Sequence, residues 1–322
     1  MLQKRSIGGN FKSAEIFHLL NEIWKILKGE ERDYTQGNIR KAILLLSVPM
    51  VMEMMMESVF AIADIYFVSK MGADAIATVG ITESIITLVY ALAVGLSVGT
   101  SAIVSRRVGE KHFQEASIAA WQSILTGIVF SSLIAIPGIF IAGNILHLMG
   151  ASKIIVDEMS SYTAIMLGGN LTIMLLFIIN AVFRSAGNPV LSMKVLWFPN
   201  GINILLDPIL IFGLGPIPGF GIKGAAIATT VGRGFAVAYQ LYLLFYGNSR
   251  VSLKGISFNP VKKIIMKVLR LAYGSISQYI VATSSWIVLM RIMAEYGSAV
   301  IAGYTIAIRI VIFALLPALG IS

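Results

Sequence analysis

Long apolar segments recur along this chain of 322 residues, and no other feature constrains its fold as strongly. A helix needs roughly 20 apolar residues to cross the hydrocarbon core of a bilayer. Because backbone groups cannot stay unpaired in lipid, segments of that length fold as helices there. We place eight of them, at 39–69, 75–104, 115–147, 157–183, 189–213, 221–247, 261–294 and 298–322. The sequence therefore predicts an all-α polytopic membrane protein.

The composition excludes several other classes of protein. Hydrophobic residues make up 57% of the chain and charged residues 13%, whereas soluble domains hold about 45–50% and about 25%. The absence of cysteine excludes a disulfide framework and thiol catalysis. Three scattered histidines, His18, His112 and His147, argue against a resident metal. The net charge of +9 lies in the tail and alternate breaks, so we expect membrane lipids rather than nucleic acid as partners.

The placement of lysine and arginine predicts the orientation in the membrane. Residues 1–38 lack the apolar core and cleavage site of a secretory signal. Within them, residues 16–27 have the spacing of an amphipathic helix that lies on the membrane surface or packs on a cytoplasmic loop. Basic residues concentrate in the tail and in the second, fourth and sixth breaks, whereas the opposite breaks hold only Lys70, Lys153 and Lys223. We therefore expect a multi-pass protein of the plasma (inner) membrane with a cytoplasmic N-terminus.

A weak internal repeat predicts how the helices are grouped. Residues 71–77 resemble residues 296–302, so the seventh and eighth predicted helices correspond to the first and second. An offset of six helices gives a parallel repeat, unless the match is chance. We expect a tail with an amphipathic helix at 1–38, a six-helix N-lobe at 39–247, a cytoplasmic linker at 248–260 and the first two helices of a second lobe at 261–322. A complete second lobe needs four more helices, so the sequence predicts a chain that stops inside it.

Two aspartates within apolar segments carry the strongest functional signal. Asp64 lies in the first predicted helix and Asp207 in the fifth, at similar depth. An ionised aspartate in hydrocarbon costs about 2.5–3.5 kcal/mol on insertion scales, so each carboxylate must face a cavity, an ion or a partner. Asn203 lies one helical turn before Asp207, and an amide oxygen beside a carboxylate suits a proton or a hard monovalent cation. We therefore predict one polar site that contains all three residues, although helix–helix hydrogen bonding explains Asn203 alone.

The first predicted helix carries two more acids and a proline. Glu53 and Glu57 project within 40° of one another on the face that also holds Asp64, at 100° per residue. These two acids either extend the cavity or are simply solvated or paired. Pro49 removes one backbone hydrogen bond, which permits the helix to bend during function or fixes a static kink.

Other polar residues complete the predicted site. Thr229 in the sixth predicted helix and Tyr162 in the fourth supply hydroxyl groups there, and Asn180 is a supporting residue of the cavity. Glu83 is a candidate partner for Arg309. Without a partner, the charge of Arg309 would be buried without compensation.

Several motifs in order resemble the multidrug and toxic compound extrusion (MATE) family. They are Ser47–Met50, Ala61–Asp64, Ala181–Pro189, Asn203–Ile209 and Gly224–Thr229. The resemblance implies twelve helices in two six-helix lobes and a cation-coupled antiport mechanism. It implies an N-lobe cation site of Asp64, Asn203 and Asp207, joined by Thr229 and Tyr162, and a kinking role for Pro49.

Two departures from the family pattern matter. No acidic residue lies between Tyr273 and Ala294 in the seventh predicted helix, so the chain resembles the DinF-like branch that relies on N-lobe acids. The chain also stops at Ser322, inside the eighth predicted helix. Four of the helices that the resemblance implies would then be missing, which puts the transport competence of this chain alone in doubt.

These features predict an H⁺- or Na⁺-coupled antiporter that exports cationic or amphipathic compounds by alternating access, with no cofactor beyond the coupling ion and no enzymatic activity. A lipid-linked oligosaccharide flippase is one alternative, although it would favour a cationic cavity. A non-functional fragment, or a half-transporter that pairs with a missing half-lobe, is another. An intramembrane aspartyl protease needs Tyr-Asp and Gly-x-Gly-Asp contexts, whereas Asp64 follows Ala63 and Asp207 follows Leu206.

Overall fold

A computed structural model of the chain describes residues 39–247 and 249–319. Nine α-helices occur within these ranges: α1 (Ile39–Ser69), α2 (Ala73–Gly109), α3 (Phe113–Leu148), α4 (Ser160–Gly168), α5 (Asn170–Ser185), α6 (Pro189–Phe212), α7 (Ile222–Tyr246), α8 (Lys262–Ala294) and α9 (Ser298–Leu319). A π-helical turn (Ile155–Met159) leads into α4. The predicted amphipathic helix of the tail lies outside the described residues.

Two short strands form a hairpin between α6 and α7. Strand β1 (Gly213–Leu214) pairs antiparallel with β2 (Ile217–Pro218), with Gly213 opposite Pro218. Within the described ranges this hairpin is the only sheet. The predicted all-α fold is therefore confirmed, with helix ends within a few residues of the predicted ones.

The fourth predicted helix, 157–183, is present as a spanning segment, Ile155–Ser185, but it is interrupted once, which the sequence did not predict. It consists of the π-helical turn, α4 and α5, with a break at Gly169. Two consecutive glycines weaken the helix at this point, because glycine loses the most conformational freedom on folding. A Cβ atom on Gly169 would also lie 2.5 Å from the side chain of Thr230, so α7 approaches closely there. The buried amide of Asn170 donates to the Leu167 carbonyl at 2.6 Å and compensates part of the broken ladder.

Six of the eight predicted spans are long and apolar enough to cross a membrane: α2, α3, Ile155–Ser185, α6, α8 and Ser298–Ala318 within α9. The other two predicted spans, α1 with 31 residues and α7 with 25, are also of spanning length. At about 1.5 Å per residue, a helix of 20 residues already reaches about 30 Å. Helix α1 carries three acids, and α7 carries Lys223 and Arg233. The chain is a multi-pass membrane protein.

Helix α2 occupies the centre of the described fold and packs against α3, α5, α8 and α9. Helix α1 packs against α6 and α9, and α6 also packs against α7. Glycines allow the closest of these contacts, as is common between helices in membranes. A Cβ atom on Gly99 of α2 would lie 2.7 Å from the Val268 carbonyl oxygen of α8, and one on Gly224 of α7 would lie 2.1 Å from the Leu210 carbonyl of α6. Neither carbonyl can rotate away, so these positions fix how near the helices lie.

The internal repeat has a counterpart in the backbone. Gly72 precedes α2 with φ of 100°, and Gly297 precedes α9 with φ of 92°, a region that favours glycine. The amide of each glycine donates to the residue three positions earlier, Ser69 or Ala294, and its carbonyl accepts from the amide four positions later. The two segments that resemble each other in sequence therefore make the same turn. The division of the chain into lobes and a linker stays a prediction.

Replacing Gly99 with alanine should destabilise the contact between α2 and α8. The added Cβ would press on a backbone oxygen, and overpacking of this kind costs about 1–3 kcal/mol. Thermal unfolding of the purified protein in detergent should therefore show a lower midpoint. Gly274→Ala on α8 is the matched control, since a Cβ there meets nothing within 4 Å. A Gly99→Ala protein with the wild-type midpoint would contradict this close packing.

Candidate functional site

The three acids of α1 face protein, and each has a different partner. Glu53 is buried, at 3% exposure. Its Oε1 lies 3.4 Å from Nη1 of Arg184 on α5, and its Oε2 accepts a hydrogen bond of 3.0 Å from the Ser192 hydroxyl on α6. Glu57 accepts a hydrogen bond of 3.0 Å from the amide of Asn200, also on α6. Both residues therefore have polar partners on neighbouring helices, and a role in the cavity stays a prediction for them.

Asp64 is buried beside a cation from another helix. Nη2 of Arg309, on α9, lies 3.6 Å from its Oδ2. The same guanidinium hydrogen bonds to Glu83 on α2, and its Nη1 donates to the Ala61 carbonyl of α1 at 2.7 Å. The expected contact between Arg309 and Glu83 is thus confirmed. Arg309 joins α1, α2 and α9 at the level of Asp64.

Asp207 and Asn203 are buried on α6, and their hydrogen bonding differs from that of the α1 acids. Asp207 has no exposed surface and Asn203 is 3% exposed. Both carboxylate oxygens of Asp207 and both polar atoms of the Asn203 side chain lack a hydrogen-bond partner among the described residues. A buried polar group without a partner is costly, and such groups are rare in native proteins. These atoms therefore require a proton, an ion or water to compensate them.

Asp64 and Asp207 affect one another electrostatically. Asp64 is close enough for its charge to act on Asp207 through the protein interior, where charges interact more strongly than in water. The donor set of two carboxylates and an amide oxygen suits a proton or a hard monovalent cation such as Na⁺. Asp207 and Asn203 have free oxygens for such an ion, whereas Asp64 already has Arg309 beside it.

The other predicted residues differ in how closely they approach this set. Thr229 is buried on α7, one turn before Gly232, where a Cβ would lie 3.2 Å from the Asn203 side chain. Tyr162 on α4 is buried within electrostatic range of Asp64. Asn180 instead accepts a hydrogen bond of 2.7 Å from Gln240, so it joins α5 to α7.

Helix α1 continues without a break through Pro49, which lies within the helix as predicted. The proline thus removes a backbone hydrogen bond inside a continuous helix, one turn before Glu53. A bend at this position would move the acids of α1 relative to their partners on α5, α6 and α9.

Two arginines change the electrostatic picture that the sequence suggested. The interpretation of the interior as acidic did not include Arg309 beside Asp64. Nor did it give a partner to Arg233 on α7, which donates to the Tyr90 hydroxyl on α2 at 2.9 Å. The Tyr90 ring in turn lies edge-on to Phe177, with ring centroids 5.6 Å apart. The interior therefore contains acids and guanidinium groups together, and only the presence of arginine within apolar segments signalled this in the sequence.

Known proteins resemble this chain in sequence, and one solved structure shares its arrangement of helices. Multidrug export protein MepA of Staphylococcus saprophyticus is 26% identical over 299 residues, which cover 92% of this chain and 65% of that protein. The FAD transporter of Shewanella oneidensis is 26% identical over 285 residues, or 88% of this chain and 63% of that protein. The solved structure of a MOP superfamily transporter from Pyrococcus furiosus matches with a TM-score of 0.77 at 29% identity, over 88% of this chain and 63% of that one.

These similarities run along nearly the whole chain, which spans less than two thirds of the length of these relatives. The relatives are transporters rather than enzymes. The profile of the MatE family matches residues 49–209, a range that begins at Pro49 and includes Asp64, Asn203 and Asp207. That match covers half of the chain, and on this basis the chain belongs to the MATE family of transporters.

Proposed function

We propose that this protein acts in a cation-coupled antiporter of the plasma membrane, with its N-terminus in the cytoplasm, that exports cationic or amphipathic organic compounds. The observation that supports coupling to H⁺ or Na⁺ is the carboxylate of Asp207, which lies within electrostatic range of Asp64 and, like the amide of Asn203, has no hydrogen-bond partner among the described residues. The similarity to a multidrug export protein supports organic compounds as the exported substrates.

The proposed mechanism rests on competition for buried negative charge. A coupling cation at Asp207 and Asn203 compensates oxygens that otherwise have no partner, so it stabilises the conformation in which these side chains are enclosed. Coupling requires that the cation bind the two conformations with different affinity. A cationic substrate and the coupling cation cannot both be compensated by the same carboxylates, so the entry of one favours the release of the other.

Arg309 gives this mechanism a link between α9 and α1. The Asp64 carboxylate has a guanidinium beside it only while α9 stays packed against α1. Movement of α9 away from α1, with α1 bending near Pro49, would remove that guanidinium and expose the carboxylate to a diffusible cation. The contact between the two helices thus determines when Asp64 participates in exchange.

Export of an anionic organic compound is a second candidate function. The guanidinium groups of Arg309, which is buried, and Arg233, which is half-buried, favour it, because each supplies positive charge in the interior. One similar protein is an FAD transporter. A lipid-linked oligosaccharide with a pyrophosphate group is also anionic, so the same guanidinium groups are compatible with the flippase alternative.

Asp64→Asn and Asp207→Asn should each abolish gradient-driven export, because an amide cannot exchange a proton or balance a cation as a carboxylate does. Efflux of a cationic dye and of a flavin nucleotide from cells that express each variant measures both substrate classes. Asp157→Asn, an exposed aspartate in the π-helical turn, is the matched control and should keep wild-type efflux. Efflux that persists in both buried variants at equal expression would refute the proposed coupling.

Replacing Arg309 with methionine should strongly destabilise the protein. It leaves Asp64 buried without its guanidinium, and breaking a buried ion pair on one side costs about 3–5 kcal/mol. Denaturation in mixed micelles measures the free energy of unfolding. Arg291→Met removes one partner of the exposed pair with Glu295, which is worth at most about 1 kcal/mol. Adding Asp64→Asn to Arg309→Met should recover part of the loss; no recovery would show that the two residues do not compensate one another.

The coupling ion should stabilise the folded protein through Asp207. A ligand that binds only the folded state raises the unfolding midpoint with its concentration. We expect a rise either with Na⁺ at constant pH and ionic strength, replacing K⁺, or with falling pH at constant Na⁺. Asp207→Asn should remove the response, whereas Asp157→Asn should retain it. An equal response in wild type and Asp207→Asn would place the ion elsewhere.

A further inference from the structure

A cleft opens between α2, α5 and α8, away from the buried acids. Its volume is about 600 Å³, within the range of roughly 300–1,000 Å³ typical of sites for small organic ligands. The residues that line it are Val94, Ser97, Val98, Ser101, Ala102 and Ser105 of α2, Phe177 and Arg184 of α5, and Tyr279 of α8. Neither Asp64 nor Asp207 is among them, so the cleft is separate from the proposed cation site.

Arg184 is the only charged residue among the described residues that line the cleft. Its side chain is 30% exposed. Its Nη1 lies 3.4 Å from both Glu53 and Ser192, which is longer than the usual 2.7–3.2 Å of a hydrogen bond. A guanidinium has five N–H donors, and none from Nε or Nη2 is bonded among the described residues. Arg184 therefore has unbonded N–H donors in the plane of its guanidinium, where the oxygens of a phosphate or carboxylate accept hydrogen bonds.

Aromatic rings lie in the same cleft as this guanidinium. Phe177 lines it from α5 and Tyr279 from α8. The hydroxyl groups of Ser97, Ser101 and Ser105 follow one face of α2, where they add polar character to an otherwise apolar wall. The cleft thus combines an apolar, aromatic surface with a single cationic end.

We propose that this cleft binds an aromatic compound with an anionic group, the anionic group at Arg184 and the ring system against Phe177 and Tyr279. Phosphate or carboxylate is the anion chemistry that Arg184 fits, and a cationic compound would meet the guanidinium as a like charge. The inference rests on the second candidate function, export of an anionic organic compound, and deepens it by assigning that substrate class to a subsite.

The cleft also has a connection to the buried polar residues. Phe177 lines the cleft and its ring contacts Tyr90, whose hydroxyl accepts from Arg233. A ligand against Phe177 therefore lies one aromatic pair away from the half-buried guanidinium of Arg233. Arg184 at the cleft and Arg233 behind this aromatic pair are both cationic, which favours an anionic ligand at this position over a cationic one.

Two flavins that differ by one phosphate group test this proposal on the purified protein in phosphatidylcholine nanodiscs. Binding of flavin mononucleotide and of riboflavin is measured by fluorescence anisotropy without a cation gradient. The wild-type protein should bind flavin mononucleotide about tenfold more tightly, because a charge-assisted hydrogen bond contributes at least that factor. Arg184→Gln should reduce binding of flavin mononucleotide to the level of riboflavin and leave riboflavin unchanged. Ser101→Leu should weaken both, since its side chain fills the cleft.

Arg106→Gln is the matched control, because Arg106 is an exposed arginine near the same end of α2 and does not line the cleft. It should leave both affinities unchanged. If Arg184→Gln unfolds because Glu53 loses its partner, Glu53→Gln with Arg184→Gln replaces it in the comparison. Equal affinities for the two flavins in wild type, an unchanged ratio without Arg184, or an equal loss in Arg106→Gln would each overturn the subsite.

The binding experiment separates this inference from the export function. Arg184-dependent binding of flavin mononucleotide without gradient-driven export would support the subsite and contradict the coupling. Export of cationic dyes by a protein that binds both flavins equally would support the coupling and contradict the subsite.

Discussion

An ionic side chain inside a membrane protein must be compensated, and this constraint determines how the described helices are held together. Helix α1 carries three acids, and they reach partners on α5, α6 and α9. Each partner is polar or cationic, so the attraction acts between helices rather than within one. Helix packing and charge compensation therefore depend on the same contacts, and a helix cannot shift without changing the environment of an acid.

The exception to this compensation is also the candidate site. Asp207 and Asn203 are as deeply buried as the paired acids but have no partner among the described residues. Burying a polar group without compensation lowers the stability of the folded protein. It is expected where an exchangeable ion supplies the missing interactions for part of a transport cycle. This contrast between paired and unpaired acids distinguishes structural carboxylates from those with a proposed role in exchange.

Most of the fold and part of the site followed from the sequence for physical reasons. Length and hydropathy determine spanning helices, and a carboxylate in an apolar segment is conspicuous, so α1, α6 and the aspartates were predictable. The break at Gly169 was not, because tertiary contact with Thr230 contributes to it. Glu83 lies 226 positions before its partner Arg309, and Tyr90 lies 143 positions before its partner Arg233. The cleft at Arg184 depends on three helices that periodicity alone does not arrange.

Arg309 has a consequence for how the first six predicted helices behave by themselves. The guanidinium that lies beside Asp64 comes from α9, which follows them in the chain. A bundle prepared from residues 39–247 would keep the aspartate and the more distant charge of Arg233, and would lose the guanidinium that contacts Asp64. Ion titrations of such a bundle would then report an aspartate without a contacting arginine, and the affinity of the intact molecule would differ by the free energy of displacing a tethered guanidinium.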